Sequence, residues 1–599
     1  MGRMPSPGRW VTADLLEAAT IEGLWGLGER DLGPPPPGLP SAAPCPGSGW
    51  VRVDLPGGGW LAWSATDGAP VTRTRHAGGP VWYREDAEHH TAYPVGPDRV
   101  LALLEGARPH RDAVLADLRT AVRHAHVVRA GWLRLPDPAL RPADRDGGPA
   151  ATLLAGERLA ATRGRPFHPT ARAVGGWTGE ELARFGPMTT EPVPLDWVGV
   201  RRDHLRLGPG THADRLAELV LGEPAASRLT GTLPDPDGFV ALPVHPFDGE
   251  HVLPKEFGDE IRDGIVVPLG RAGEAGPTAS LRTLALPGRT PRHLKLPLAV
   301  TTLGAARLLP PRHLDHGDRA TRVISAVLGS DPGLAARVGV ADESDWAGFA
   351  RPDGSDEFDD RPGRLAAQLR HYPDLGDCPL PLAALAAPGW DLLGPLLGVD
   401  DRAAAERFLA ALTTDVLTAG IGFLGHGVLP EMHGQNVVVA FDRDPDRPAR
   451  VRQLVLRDHD TLRVHPDWAR AAGTPDPGYR IAPGASQSLV LDRPERLVGY
   501  LQTLVVQVAL RGVAVAMGEE FGIPEPAWWD MVRDAVPAAL DAADPPAGIR
   551  DALTALLLDA PVWPARAVLG PLLDRGPSEG VSMPAGVVEV PNPLRGRAR

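Results

Sequence analysis

Lysine and asparagine are almost missing from this chain of 599 residues. Of its 62 basic residues only Lys255 and Lys295 are lysines, and its only asparagines are Asn436 and Asn592. The bias towards Arg, Ala, Gly and Pro reflects a GC-rich coding background, so Lys295 and Asn436 are informative for having survived it. Cysteine is also scarce. Cys45 and Cys378 cannot build a disulfide framework, neither has metal-type spacing, and a reducing cytoplasm is the simplest compartment. A basic excess is lacking too: the net charge of −13 excludes a nucleic-acid binder, which needs cations to neutralise phosphates. Small anionic ligands remain open through local arginines. No apolar run reads as a membrane span. The longest, Leu497 to Met517, is broken by Gln502, Gln507 and Arg511 and reads as a buried helix, and the N-terminus has no secretory h-region.

What is present centres on GHGVLPEMHGQNVVVAF, Gly425 to Phe441, and VRQLVLRDHDTLRV, Val451 to Val464. If the first part runs extended, a period of two places Glu431, His433 and Gln435 on one face and Met432, Gly434 and Asn436 on the other. Val437 to Phe441 reads as a buried strand, Asp442 to Arg450 as a turn, and Val451 to Leu456 as the return strand ending in Arg457 and Asp458. Such a hairpin, with polar residues before one strand and an acid after the other, can hold Mg²⁺ and a nucleotide, because Mg²⁺ takes one or two carboxylates plus phosphate oxygens. The plain alternative is a surface hairpin with solvated ends.

Elsewhere, Thr12 to Leu27 has helical spacing, Gly33 to Gly49 is a Pro-rich loop, Trp50 to Trp63 a Gly-tipped hairpin, and Asp98 to Leu135 mostly helix. EDAEHH, Glu85 to His90, reads as a solvated acidic loop, since adjacent histidines rarely ligate one ion. In ERLAATRGRPFHPTARAVGGW, Pro166 and Pro169 fix the backbone around Phe167 and His168 while Arg163, Arg165 and Arg172 supply charge. This is a phosphate loop or an Arg-rich connector. Strands follow at Trp197 to Arg202, Phe239 to Val244, Ile265 to Pro268 and Thr278 to Leu286. In PTASLRTL, alternation sets Ser280 and Arg282 on one face with Thr283 beside them, a set able to hold a triphosphate. Lys295 sits in an apolar strand, either at an edge or buried against an anion, and the second reading is preferred. Arg307 follows twelve residues later. Asp353 to Asp360 reads as a solvated insertion, and His313 and His316 as structural loop histidines. Helices dominate after Pro388: Asp401 to Thr418 with Gly420 as its stop, Arg493 to Gly518, and Trp528 to Leu540.

Taken together, PVHP (Pro243 to Pro246), PTASLRTL, HLKLPLAVTTLGAAR, GVLPEMHGQN and the later Arg457-Asp458 resemble the IucA/IucC family of siderophore synthetases that work without a nonribosomal peptide synthetase. The likeness covers roughly residues 155 to 465, and the closing PNPL, Pro591 to Leu594, fits the same family. The resemblance implies an α+β, multi-lobed cupped hand: a thumb-like lobe at 1–185, a β-rich fingers-like ATP-binding domain at 186–387, and a mainly helical palm-like domain at 388–599. It implies an ATP- and Mg²⁺-dependent ligase that adenylates a carboxylate, citrate or a related acid, and passes the acyl group to a small amine or alcohol. Ser280, Arg282, Thr283, Lys295 and Arg307 would hold the triphosphate, with His168, Arg172, Gln435 and Asn436 also at the nucleotide. Asn436, Asp458 and Glu431 would hold the metal; His433, Glu431, Lys295 and Arg307 would act in catalysis, with His433, expected to titrate near neutrality, or Glu431 as the proton acceptor. One loop departs from the pattern: Arg165, Arg172 and Val174 stand where the family has histidine, lysine and arginine. The alternatives are a small-molecule kinase, which would transfer the γ-phosphate, and a binding protein without activity. The acid, the nucleophile and the oligomeric state, a homodimer included, stay open.

Overall fold

The computed structural model describes residues 6–40, 43, 46–67, 71–86, 88, 91–135, 148–444, 447–485, 487–578, 580 and 583–595. Cys45, His89 and His90 lie outside these. The first sheet is an antiparallel meander of β1 (Gly49–Asp54), β2 (Trp60–Asp67), β3 (Thr74–Arg84) and β4 (Tyr93–Val95). Gly57 and Gly58, at φ 90° and 87°, form the tip of its first hairpin, a conformation that glycine takes without a Cβ clash. Val51, Val53, Leu61, Val81 and Tyr83 on one face pack with Val11, Leu15 and Leu16 of the helix Pro7–Ile21 and with Leu115 and Leu118 of the helix Arg111–Trp132. The hairpin and both helices are where the sequence pattern puts them.

The helix Gly148–Arg163 leads into a long run of strands. These are β5 (Val193–Arg201), β6 (Leu205–Leu207), β7 (Phe239–Val244), β8 (Val266–Pro277), β9 (Thr283–Ala285), β10 (Arg292–Lys295), β11 (Leu298–Thr302), β12 (Ala305–Arg307), β13 (Val338–Val340), β14 (Asp342–Phe349), β15 (Ala366–His371) and β16 (Cys378–Pro381). Eight of them form one sheet in the order β6-β14-β15-β10-β9-β8-β5-β7. Lys295 therefore lies inside the sheet, paired to Thr283 on one side and Gln368 on the other, and not at an edge. His313 and His316 are not in a loop: Pro311 opens a helix, Pro311–Ser330, that carries both, as proline does in a first turn where its missing N–H costs nothing.

The last third adds β17 (Val428–Leu429), β18 (Val437–Asp444), β19 (Arg447–Leu456), β20 (Arg463–Val464), β21 (Val562–Ala567) and β22 (Gly586–Pro591). The central hairpin, β18 with β19, is longer than the sequence pattern indicates, because Asp442 faces Arg450 and Asp444 faces Arg447 across it. Opposite charges so placed favour pairing over a wide turn. The hairpin belongs to a mixed sheet, β13-β19-β18-β16, whose outer strands come from before residue 387. The helix Arg402–Gly425 runs straight through Gly420. A Cβ there would lie 2.5 Å from Leu501, so that glycine permits two core helices to touch and does not end one.

Its neighbour, Pro494–Phe521, has a π-helical middle at Leu501–Leu510, and a second π turn follows at Ala555–Asp559. Both long helices are apolar enough to cross a membrane, yet 78% and 89% of their apolar windows are buried inside the fold. Widened π turns leave carbonyls without regular partners, and amide side chains supply them. Gln502 Nε2 donates to the carbonyl of Leu556 in the second π turn, while Gln507 Nε2 ties the first π stretch to the carbonyl of Pro564 on β21. Asn592 Nδ2 donates to the carbonyls of Ala560 at 2.8 Å and Leu557 at 3.2 Å, while its Oδ1 accepts from the N–H of Leu594. This explains one of the two asparagines. Asn592→Ala strands these buried groups, so unfolding free energy should drop by about 1–3 kcal/mol, read as a lower urea midpoint; an unchanged midpoint would refute the role.

Candidate active site

A cavity of about 480 Å³ opens between the eight-stranded sheet, the central hairpin and β21. Ser280, Arg282, Thr283, Lys295, Arg307, Glu431, His433, Gln435, Asn436 and Asp458 all line it, and so does Arg172. His168 does not; it is buried behind the wall, its Nε2 without a partner among the described residues.

Two stretches reach the cavity by geometry other than the alternation read from sequence. PTASLRTL is a tight turn before β9, with Leu281 at φ 65°. Thr278 Oγ1 donates to the carbonyl of Thr283, and Ser280 Oγ accepts from the Thr283 N–H. EMHGQN is likewise coil and turn, not strand. The His433 N–H donates to the carbonyl of Glu431 and the Asn436 N–H to that of His433. Gly434 lies so close to Ala383 that a Cβ would sit 3.2 Å from its backbone. This curl brings neighbours Gln435 and Asn436 to one cavity and sends Met432 into the core, where it is fully buried.

Charge holds the floor together. Asp458 Oδ1 accepts from Lys295 Nζ at 2.6 Å and from Arg370 Nη2 at 2.6 Å. Its own N–H donates to Glu343, which also pairs with Arg370. Burial pushes the Asp458 carboxyl up, but Arg370 and Lys295 outweigh it and hold the group well below the carboxylate range. The expected anionic partner of Lys295 is thus a protein carboxylate. Next to it Arg457 pairs with the buried Glu157 at 2.6 Å, donates to Tyr372 Oη at 2.9 Å, and donates from Nε to the carbonyl of Gln435 at 2.7 Å. One arginine fixes the EMHGQN turn to the helix Gly148–Arg163.

Glu431 accepts from Arg463 Nη2 at 3.2 Å and from Thr461 Oγ1 at 3.1 Å. Burial raises its pKa, but Arg463, His433 and Arg165 bring it down to about 2. His433 does not titrate near neutrality as its free side chain would. Burial, then the Arg165 and Arg457 charges, take it to about 4 against the pull of Glu431. Its Nδ1 accepts from the Gln435 N–H, leaving Nε2, 4.0 Å from Glu431, to carry the proton of the neutral ring. Among the described residues Arg307 bonds only to Thr302, and burial with the Arg282 charge lowers it to about 9. Arg165, Arg463, Arg566, Tyr500 and Asp460 also line the cavity. Sequence reasoning gave Arg165 only as a charge in a phosphate loop or connector, and the other four no role. Asp460 and Arg463 lie in the quoted RDHDTLR segment; Arg566 carries no signal at all.

Among the described residues no three His, Cys, Asp or Glu side chains group to hold a metal ion by themselves. Asp458, Asp460 and Asn436 do face the cavity together. That sparse oxygen set suits a Mg²⁺ that arrives on phosphates and keeps most of its own ligands.

Residues 152–387 match the IucA / IucC family, and residues 405–576 match a family described as ferric iron reductase FhuF-like transporter. The staphyloferrin B synthase of Staphylococcus aureus is 31% identical over 452 residues, 73% of this chain and 76% of that protein. The aerobactin synthase of Escherichia coli is 27% identical over 285 residues, 44% of this chain and 49% of its own. The fold is that of the petrobactin biosynthesis protein AsbB from Bacillus anthracis (TM-score 0.76, 17% identity, 98% of this chain and 95% of that one). It is also that of ATP-bound aerobactin synthetase IucA from Klebsiella pneumoniae (TM-score 0.70, 18% identity, 97% and 100%). With a relative so similar across more than two thirds of both proteins, the chain belongs to the IucA / IucC family.

Proposed function

We propose that the protein is an ATP-dependent ligase of siderophore biosynthesis that adenylates a carboxylate, citrate or a related acid, and transfers the acyl group to a small-molecule amine or alcohol. The observation that carries this reading is the cavity itself, where Arg282 and Arg307, bonded to no carboxylate among the described residues, share a space of about 480 Å³ with the Glu431–His433 pair. Bringing a carboxylate to the α-phosphate joins two anions, and fixed cations in a water-poor cavity stabilise the charge that develops. Ser280, Arg282, Thr283, Lys295 and Arg307 are the triphosphate contacts in this reading, with Gln435 and Asn436 beside them. Arg172 contributes from the cavity edge, and His168 supports the loop from behind. Mg²⁺ bound with the nucleotide would be held by Asn436 and Asp458 and supplies charge neutralisation on the phosphates; Glu431 would have to leave Arg463 and Thr461 to join it. In the second half-reaction His433 takes the proton of the incoming nucleophile at Nδ1, giving up the hydrogen bond from the Gln435 N–H, and the imidazolium that forms keeps its Nε2 proton towards Glu431. The lobes 1–185, 186–387 and 388–599 remain the working division, supported by the two sheets that fall wholly inside the first two.

With a competent acid and nucleophile, the products should be AMP and pyrophosphate; stoichiometric ADP and phosphate would instead establish a kinase. Lys295→Met should slow adenylation by roughly 10- to 150-fold, the loss of one charge-assisted hydrogen bond. Arg370 still neutralises Asp458 in that variant, so it should melt later than Asp458→Ala, which leaves Lys295 uncompensated and Arg370 with Glu343 alone, at a cost of about 3–5 kcal/mol. A Lys295→Met protein that melts as early as Asp458→Ala, with its folded fraction fully active, would contradict the assignment. Finally, His433 is already in its base form well below pH 6.5. The acid limb of kcat/KM should therefore lie towards about pH 4, leaving the rate flat as pH falls through the ordinary imidazole range. An inflection at about 6.5 would remove His433 from the role or its environment from the explanation.

A further inference from the structure

One buried carboxylate meets both of the turns that build the cavity. Glu157 lies on the helix Gly148–Arg163 at the cavity wall and has no exposed surface. Its Oε2 accepts from the Ala279 N–H at 3.3 Å, in PTASLRTL between Thr278 and Ser280. Its Oε1 lies 2.6 Å from Arg457 Nη2. Burial works against the Arg457 charge, and Glu157 is the carboxylate that outweighs it.

Arg457 carries that hold to the second turn. Its Nε donates to the carbonyl of Gln435 at 2.7 Å and its backbone N–H to that of Asn436 at 3.0 Å, two successive carbonyls of EMHGQN. Its Nη1 donates to Tyr372 Oη at 2.9 Å; since that oxygen accepts there, its own proton goes to His293 Nδ1, also at 2.9 Å. Burial and the Arg457 and Arg370 charges keep His293 neutral, two residues before Lys295 on β10. A planar guanidinium serves these directions at fixed angles, which a point charge cannot.

The helix behind Glu157 is itself pinned. Its last residue, Arg163, donates to Asp14 through both Nη1 and Nη2, at 2.8 and 2.7 Å. The Phe167 N–H donates to the same carboxylate at 3.0 Å. Phe167 is held at φ 62°, with the Arg511 guanidinium 4.4 Å from its ring centroid. A non-glycine residue stays in that conformation only when its surroundings over-determine it, and here they do.

We propose that Glu157 is a positioning residue for the ligation: through its two oxygens it sets the PTASLRTL turn against the turn that carries His433, Gln435 and Asn436. This role rests on the adenylating reading of the cavity. Both oxygens are engaged within the protein, so the residue acts on how bound groups meet and not on how tightly ATP is held. A misplacement of about 1 Å between reacting groups costs on the order of 100-fold in rate.

The test follows ATP consumption, whichever products appear, with citrate, succinate or 2-oxoglutarate as the acid and hydroxylamine as the nucleophile. Melting temperature and calorimetric Mg-ATP affinity are measured on the same full-length proteins. Glu157→Asp keeps the charge that Arg457 needs but is too short to reach both donors. Its kcat should fall by on the order of 100-fold, with ATP affinity close to the parent's. Glu157→Gln offers one acceptor to two donors and leaves Arg457 without its acid, so it should melt early. Adding Arg457→Met removes both charges and should raise the melting temperature again, yet kcat should stay down. If the pair serves stability alone, kcat recovers with the melting temperature, and that result overturns the proposal. So does an Asp variant that turns over like the parent, or one that loses ATP affinity as strongly as kcat. Product identity separates the two readings. ADP and phosphate with the same loss of kcat keep Glu157 in its role and remove adenylation; AMP and pyrophosphate at the parent's rate in the Asp variant do the opposite.

Discussion

Everything in the site depends on one shared oxygen. Asp458 Oδ1 takes hydrogen bonds from Lys295 on β10 and Arg370 on β15, while the residue's own N–H reaches back to Glu343 on β14. Three strands of the middle sheet are thus bound to the turn that follows the central hairpin. Isolated, any of these ions would be very costly to bury, and together they offset one another only in one arrangement. The network therefore acts as a register mark: the hairpin has one seat against the sheet in which no charge is stranded. Asp458 accepts a left-handed backbone, φ 60°, to occupy it.

The same economy shapes the cavity wall. Glu157 and Arg457, both buried, tie the EMHGQN turn to a helix more than two hundred residues earlier in the chain. What is left unpaired after such pairings is positive. Arg165, Arg282, Arg307 and Arg566 line the cavity with no carboxylate bonded to them among the described residues. Folding bears the cost of holding them there, and a bound anion recovers it, which is how preorganised sites gain their electrostatic strength.

The residues that were legible in the sequence were the rare ones and those in dense motifs. Lys295 stood out because lysine is nearly absent, and its burial against an anion followed from the apolar strand around it. Arg370 does the same work in a similar strand, yet one arginine among many gave no signal. PTASLRTL and EMHGQN were found as motifs, but their period-two faces were wrong, because turns and a left-handed Leu281 present the side chains that alternation was thought to present. Gly420 read as a helix stop by its lack of a side chain; the same lack permits close helix packing, and only the contact with Leu501 tells the two apart. His433 was assigned its solution behaviour, which neither Arg165 nor burial allows. Asp14 was invisible, since its partners lie 149 and more residues away.

That distance bears on how the chain comes to be active at all. The loop that carries Arg165 is held from one side by Asp14 and from the other by Arg511, which in turn grips Glu17 across a separation of 494 residues. Contacts so remote in sequence form late, after the loops between them have closed. A ribosome must release residue 511 before the first helix can be locked in place, so a nascent or truncated chain carries most of the nucleotide motifs but not the finished cavity. Activity is then gated by synthesis of the chain through Arg511, and a shorter piece holds no completed site at which to spend ATP.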